Sequence, residues 1–337
     1  MNRPICDAVG ARRVLHFVYE GYERMEPGRM EPVASRAMRA TVAWLLVLIA
    51  GAAACSQPDA APAAAPPPVP LAQAPDSFMT VNGVRLRYRE SGAGEPVVLL
   101  HGLGSDLQSW SGLGDSIATE YRVIALDQRG HGESDAPTAP AAYGREMGED
   151  VVRLLDHLGI RRAHLVGHSM GAVIASYAAV RHPGRIATVS LIAPPFYADS
   201  AAAASVMTPF AEDLARGVGL RNFLRRFAPE LPDSAADAFN AEMMAANDRD
   251  MMIGVMRTFG GVTVGQEGAA TASVPALIAV GDVDVLAAQA RDLAGWWPHA
   301  RLLEIAGADH VSILWNPETL AGIRAQLRVA STNSPAR

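Results

Sequence analysis

Residues 164–177, H-L-V-G-H-S-M-G-A-V-I-A-S-Y, constrain the fold of this chain more than any other stretch. Residues 164–166 form a short apolar run of the kind that becomes a buried parallel strand, and residues 172–180 are alanine-rich with apolar positions at helical spacing. A strand that reverses into a helix around one exposed side chain brings two backbones too close for a β-carbon, and Gly167 and Gly171 stand where that crowding falls. The pentapeptide Gly167-His168-Ser169-Met170-Gly171 fits G-x-S-x-G and puts Ser169 at the apex. There its neighbours' amides open a helix, an environment that favours developing negative charge. An ordinary serine in a glycine-rich turn would satisfy the five residues alone; the flanking strand and helix favour a nucleophile.

The pattern around this stretch alternates strand and helix. An Asn82-Gly83 turn joins strands at residues 78–81 and 84–89, as expected of a two-residue hairpin. Buried strands follow at residues 96–100, 122–126, 186–192, 276–280 and 301–305. Helices are expected at residues 107–118, 144–158, 286–296 and 317–329. This implies an α/β fold, a mostly parallel sheet with helices on both faces, entered through an antiparallel hairpin. Residues 194–270 break the alternation. They read as helices (residues 211–216, 221–227, 234–246 and 249–259) inserted after the sixth strand, where ligands bind such sheets, and so look like a cap. This segment carries Met207, Met243, Met244, Met251, Met252 and Met256 together with Phe210, Phe223, Phe227, Phe239 and Phe259, which suit both packing and an adaptable apolar pocket.

The N-terminal region reads differently. Residues 41–50, T-V-A-W-L-L-V-L-I-A, follow Arg36 and Arg39 and precede G-A-A-A-C, an apolar run of signal-peptide length too short for a permanent span. It resembles a bacterial lipoprotein signal, in which Cys55 would be acylated as the first mature residue; a simple secretory signal cleaved near Ala54 is the rival. Ala52 stands where leucine is commoner in such signals. Met38 suits a signal's start better than Met1, which leaves open that residues 1–37 are not translated. Residues 55–76 are mostly alanine and proline and read as a tether of about 20 residues, reaching some 60 Å at roughly 3 Å per residue. The folded domain is expected over residues 77–330, followed by a tail at 331–337, with the whole on the exported side of a bacterial envelope membrane. Cys6 and Cys55 are the only cysteines, so the domain itself needs no disulfide. The chain has 29 basic residues, all arginine, against 35 acidic ones, and no basic patch that suggests nucleic acid.

Five motifs occur in order along residues 77–329: His101-Gly102-Leu103-Gly104, the run D-Q-R-G-H-G-E-S at residues 127–134, the G-x-S-x-G pentapeptide, Gly281-Asp282-Val283-Asp284, and Gly307-Ala308-Asp309-His310. Together they resemble the α/β-hydrolase superfamily in its capped serine esterase and lipase branch. The resemblance implies a triad in the chain order serine, acid, histidine. Of the nine histidines, His299 and His310 lie beyond the acid candidates, and His310 follows a strand in a glycine-bearing loop, so it is the expected base. Asp309 replaces the glycine common at its position, and its carboxylate would either raise the histidine's pKa or face solvent. The family's G-x-x-D spacing puts the acid at Asp284, with Asp282, a turn residue by type, as the alternative. The oxyanion hole is expected from the backbone amides of Leu103 and Met170. His101, His168, His131 and Arg129 read as braces of their loops.

These expectations describe hydrolysis of carboxylic esters of small molecules through an acyl-enzyme, with no cofactor and no metal. Haloalkane dehalogenases and epoxide hydrolases resemble the chain outside the turn but carry aspartate where Ser169 stands. C–C bond hydrolases and cofactor-free perhydrolases keep the serine and are alternatives, as is a ligand-binding module on the same scaffold. Membrane contact is expected through lipidated Cys55 only; substrate identity and oligomeric state are not legible.

Overall fold

The computed structural model describes residues 67–227 and 232–331. The leader, the signal, Cys55, the tether up to residue 66 and the tail beyond 331 lie outside the described residues. The strands are β1 (Ser77–Val81), β2 (Val84–Ser91), β3 (Pro96–Leu100), β4 (Arg122–Leu126), β5 (Ala163–His168), β6 (Ile186–Ile192), β7 (Ala276–Gly281) and β8 (Ala300–Ile305). They form one sheet in the order β1-β2-β4-β3-β5-β6-β7-β8. The pairs β1–β2 and β2–β4 are antiparallel and all others parallel. The helices are α1 (Leu113–Ala118), α2 (Arg145–His157), α3 (Met170–Arg181), α4 (Ser200–Ala215), α5 (Arg221–Phe227), α6 (Asp233–Ala246), α7 (Arg249–Thr258), α8 (Gly265–Ala270), α9 (Ala287–Trp296) and α10 (Pro317–Ser331).

Side-chain alternation explains why the parallel strands read as unbroken apolar runs. In β3, Val98 and Leu100 enter one core while Val97 and Leu99 enter the other; in β7, Ile278 and Val280 oppose Leu277 and Ala279 in the same way. Each face is thus a buried face. One core collects residues of α2, α3 and α9, and the other those of α1 and α10 with the fully buried Trp110. Helix α3 is buried around almost its whole circumference, which its alanines permit.

Two expectations need correction. The helix expected over residues 107–118 is instead a 3-10 turn, Leu107–Trp110, followed by α1, because Gly112 adopts φ 83° between them. The domain also begins before residue 77. Leu71 is wholly buried against Leu107, Trp110 and Leu113, and its N–H donates to Asp115 Oδ1 at 2.7 Å. Arg89 Nη1 donates to the carbonyls of Leu71 and Ala72, at 3.1 Å each. A proline- and alanine-rich composition hid this strap, because one leucine supplies its anchorage and side chains elsewhere supply its hydrogen bonds.

The cap after β6 comprises α4 to α8. Helix α4 is much longer than the expected residues 211–216: it runs from Ser200, capped by Asp199 Oδ1 accepting from Ala202 N, and continues through Pro209. Proline removes one donor from a helix and usually reads as a stop. Here α4 packs along α7 in the most extensive helix–helix contact of the cap, which offsets that loss.

At the carboxyl ends of β3 and β4 the loops are tied together by polar groups that burial keeps uncharged or paired. Asp127 accepts from Leu107 N at 2.7 Å and Glu133 N at 2.9 Å; desolvation nevertheless raises its pKa to about 6. Arg129 holds Asp150 of α2 bidentately, at 2.6 and 2.7 Å, with both side chains almost fully buried. His101 Nε2 accepts a hydrogen bond from Gln128 N–H at 3.1 Å and Nδ1–H donates to the Gly102 carbonyl at 2.8 Å, so the ring is neutral. Desolvation lowers His101 to about 4, and both His131 and His168 to about 3.

Two measurements follow from these contacts. Leu71→Ala should destabilise the domain by about 2–5 kcal/mol, the range for truncating a fully buried leucine; a urea midpoint equal to wild type would show that the strap does not pack. The three neutral histidines take up protons on unfolding between their folded values and about 6.5, while Asp127 releases one between 3.8 and about 6. Unfolding near pH 5 therefore takes up about two protons net, and stability should fall from pH 7 toward pH 5 at on the order of 2 kcal/mol per pH unit near the lower end. Chemical melts at pH 7 and pH 5 with equal stabilities would contradict this.

Candidate active site

Strand β5 ends in a turn that only this residue pattern allows. A β-carbon at Gly167 would collide with the Gly171 carbonyl, and one at Gly171 with the Leu100 carbonyl at the end of β3. Ser169 sits between them at φ 52°, ψ −115°, a backbone conformation that L-residues rarely adopt. Its N–H donates to the Ile192 carbonyl at 2.9 Å, which fixes the strained residue to the end of β6.

His310 arrives from the loop after β8. Its Nε2 lies 3.0 Å from Ser169 Oγ and its Nδ1 3.0 Å from Asp284 Oδ2. A carboxylate can only accept, so Nδ1 carries the proton and Nε2 is left to accept from the serine hydroxyl. Asp284 reaches this position because Gly281, at the end of β7, packs so tightly against the Ala308 carbonyl that a β-carbon would not fit. Its side chain is buried, and its second oxygen accepts from Leu286 N at 2.8 Å. Asp282 is two residues away but turned elsewhere: its Oδ1 accepts from Gly307 N at 2.7 Å and ties the β7 turn to the histidine loop. Of the two acid candidates, the structure brings Asp284 to His310 and leaves Asp282 as a turn residue.

The histidine loop is held from two sides. Asp309 Oδ1 accepts from Val311 N at 2.9 Å and Ser312 N at 2.7 Å, so its carboxylate caps the following turn. Desolvation opposes its ionisation, but these hydrogen bonds and the one shared with Ser312 prevail and hold its pKa below the usual aspartate value. His168, the residue before Ser169, donates from Nε2 to the His310 carbonyl at 2.8 Å, and its ring lies 5.0 Å from that of His310. Sequence suggested a local brace; the structure shows a brace across 142 positions, between the serine turn and the His310 loop. Because its ring stays neutral, it adds no charge beside His310.

Leu103 lies on the loop after β3, and Met170 follows Ser169 directly at the start of α3. The first belongs to a turn in which Ser105 N donates to the Gly102 carbonyl at 3.3 Å and Gly104 adopts φ 73°. A β-carbon on Gly102 would stand 3.5 Å from Ser169 Cβ, so this turn borders the serine directly. Met170 opens α3, where its amide points out of the helix N-terminus. Neither amide donates to another backbone carbonyl among the described residues outside the regular elements. Among the cap methionines, Met251, Met252 and Met256 are fully buried in the core, whereas Met243 and Met244 are half-buried on its edge, with the Met243 methyl against Gly104. The sequence carried no sign of Asn247, whose side chain reaches the Gly104 carbonyl from the cap.

Residues 95–240 match the family described as the alpha/beta hydrolase fold. The chain is 41% identical over 124 residues to the dihydrolipoyllysine-residue acetyltransferase component of an acetoin cleaving system from Cupriavidus necator, a match covering 36% of this chain and 33% of that protein. The chain thus spans about a third of that relative's length. Among solved structures, it is similar to a hydrolase from Pseudomonas aeruginosa, with TM-score 0.64 and 26% identity over 75% of this chain and 98% of that one. It is also similar to an enol-lactonase from Burkholderia xenovorans, with TM-score 0.61 and 26% identity over 76% of this chain and the whole of that one. The strand order, the glycine-bounded turn at Ser169 and these likenesses agree: the chain has the α/β-hydrolase fold, and residues 95–240 match that family.

Proposed function

We propose that the protein is a serine hydrolase that cleaves carboxylic esters through an acyl-enzyme. The observation that carries this reading is the relay from Ser169 Oγ–H to His310 Nε2 and from His310 Nδ1–H to Asp284, with both steps at 3.0 Å. A serine hydroxyl is a poor nucleophile near neutral pH unless a base takes its proton as it attacks. His310 is placed to do so, and Asp284 holds the ring in the tautomer that leaves Nε2 open and stabilises the imidazolium that forms. As Ser169 Oγ bonds to the carbonyl carbon, the amides of Leu103 and Met170 receive the developing oxyanion. His310 then gives its proton to the departing alcohol, and water, activated by the same base, releases the acid.

The similarity to an enol-lactonase supports an ester-like bond, since a lactone is an internal ester. Relatives named as epoxide hydrolases match a third to a half of the chain, but a hydroxyl at Ser169 lacks the carboxylate such a reaction would need in its place. The acyl or alcohol chain is expected beneath Met243 and Met244 and not against Met251 and Met252, which are used up in packing. We also propose that Cys55, outside the described residues, carries a lipid that holds the domain at a bacterial envelope membrane; its support is the apolar run before G-A-A-A-C.

A fluorophosphonate should label Ser169, and Ser169→Ala should abolish both labelling and turnover of a chromogenic ester. Asp284→Asn should lower kcat by about a thousandfold or more, and Asp282→Asn should retain most activity. The reverse ranking would move the orienting role to Asp282, and no turnover with any of a panel of esters would remove the hydrolase reading. Cys55→Ala should convert a membrane-bound protein into a soluble exported or unprocessed one. A wild-type protein with a free, unacylated mature N-terminus would rule out the anchor.

A further inference from the structure

The turn that carries Leu103 is fixed by groups from two different parts of the molecule. From the sheet side, His101 Nδ1–H at 2.8 Å and Ser105 N–H at 3.3 Å both donate to the Gly102 carbonyl. From the cap, Asn247 Nδ2 donates to the Gly104 carbonyl at 3.0 Å, across 143 residues of sequence. The same Nδ2 also donates to the Met243 carbonyl at 3.0 Å. Both acceptors are carbonyls, so the two hydrogens of the Asn247 amide are fully used and its orientation is set. Asn247 terminates α6 in an extended conformation, φ −123° and ψ 145°, which aims its side chain back along the helix end. The methyl of Met243 occupies the space where a β-carbon of Gly104 would lie. Gly104 therefore serves twice, giving the turn its positive φ and giving α6 a surface on which to seat.

Resting on the hydrolase reading above, we propose that Asn247 is a positioning residue for the oxyanion hole: it latches the end of α6 to the Gly104 carbonyl and thereby holds the neighbouring Leu103 amide on the serine. Rotation about Gly104 would swing its carbonyl and, through the two-residue turn, the Leu103 N–H; a hydrogen bond from the cap opposes that rotation. Seating of α6, which Met243 and Met244 would feel when a substrate chain lies beneath them, is then linked to how well the oxyanion is stabilised. A substrate that seats α6 gains in kcat, not only in KM.

The test compares Asn247→Ala and Asn247→Asp with Asn240→Ala. Asn247→Asp keeps the shape but cannot donate. Asn240 is on the same helix and accepts from Leu220 N at 2.6 Å, so its loss loosens the cap without touching the Gly104 turn. Both Asn247 variants should lower kcat about tenfold with KM changed much less, since losing an oxyanion donor outright costs about 10²–10³ and this loss is indirect. They should also speed amide hydrogen exchange in a peptide covering residues 101–106, whereas Asn240→Ala should leave that exchange at the wild-type rate. Exchange and kcat within twofold of wild type in both Asn247 variants would overturn the latch, as would equal effects from Asn240→Ala, which would signify general loosening of the cap. Absence of turnover in the wild type would instead strike the hydrolase reading, and the exchange comparison would still decide whether Asn247 holds the turn.

Discussion

The Gly171 backbone lies against the carbonyls of Leu100 and His101 so closely that no other residue fits, and the rest of the site depends on that approach. It draws the start of α3 against the end of β3, which forces β5 to reverse within the few residues around Ser169. The reversal leaves Ser169 in a conformation worth of order 1–3 kcal/mol of strain. That strain is held by the Ile192 carbonyl behind it and by ten buried positions of α3 in front. Because the crowded backbones belong to β3 and α3, the same contact sets the H-G-L-G turn beside the serine. The exposed serine and the turn beside it are thus two products of one steric constraint.

The same device recurs at the other end of the site. Gly281 meets the Ala308 carbonyl, which places the acid turn beside the histidine loop, and Asp282 then fastens the two through Gly307. On the upper side, the cap grips the core at two glycines with positive φ: Met243 seats on Gly104 and Met251 on Gly130. Unbranched, flexible methionine side chains fill such irregular hollows well. The cap's methionine content, which sequence could attribute to pocket or packing, is therefore divided by position, with α7 serving the core and the end of α6 facing the turn at Gly104.

How much of this was legible in the chain follows from the range of each interaction. The sheet could be read because each parallel strand is buried on both faces, and its apolar run appears in the sequence itself. The glycines at 167 and 171 could be read because a steric requirement on one residue leaves one residue type, whereas Gly281 entered only through the family's G-x-x-D spacing. The strap at Leu71 could not, since its hydrogen bonds come from Arg89 and Asp115 and leave no mark on the strap's own composition. Helix α4 was underestimated because Pro209 has a local penalty that only α7, forty residues on, offsets. His168 and Asn247 lay beyond reach for the same reason: their partners, the carbonyls of His310 and Gly104, are more than 140 positions away, and a backbone carbonyl is the same at every residue.

The conformation of Ser169 has a consequence for how far such a protein can be stabilised. At φ 52° and ψ −115° glycine is at ease and serine is not. If the lost hydroxyl contact is minor, Ser169→Gly makes a more stable protein, even after the extra freedom glycine gains in the unfolded chain is counted. Selection for thermal endurance alone would therefore tend to erase this serine. A serine that persists at such a position is a residue kept at the expense of stability, and stabilising substitutions for this fold belong in the strap and the cap, away from the turn.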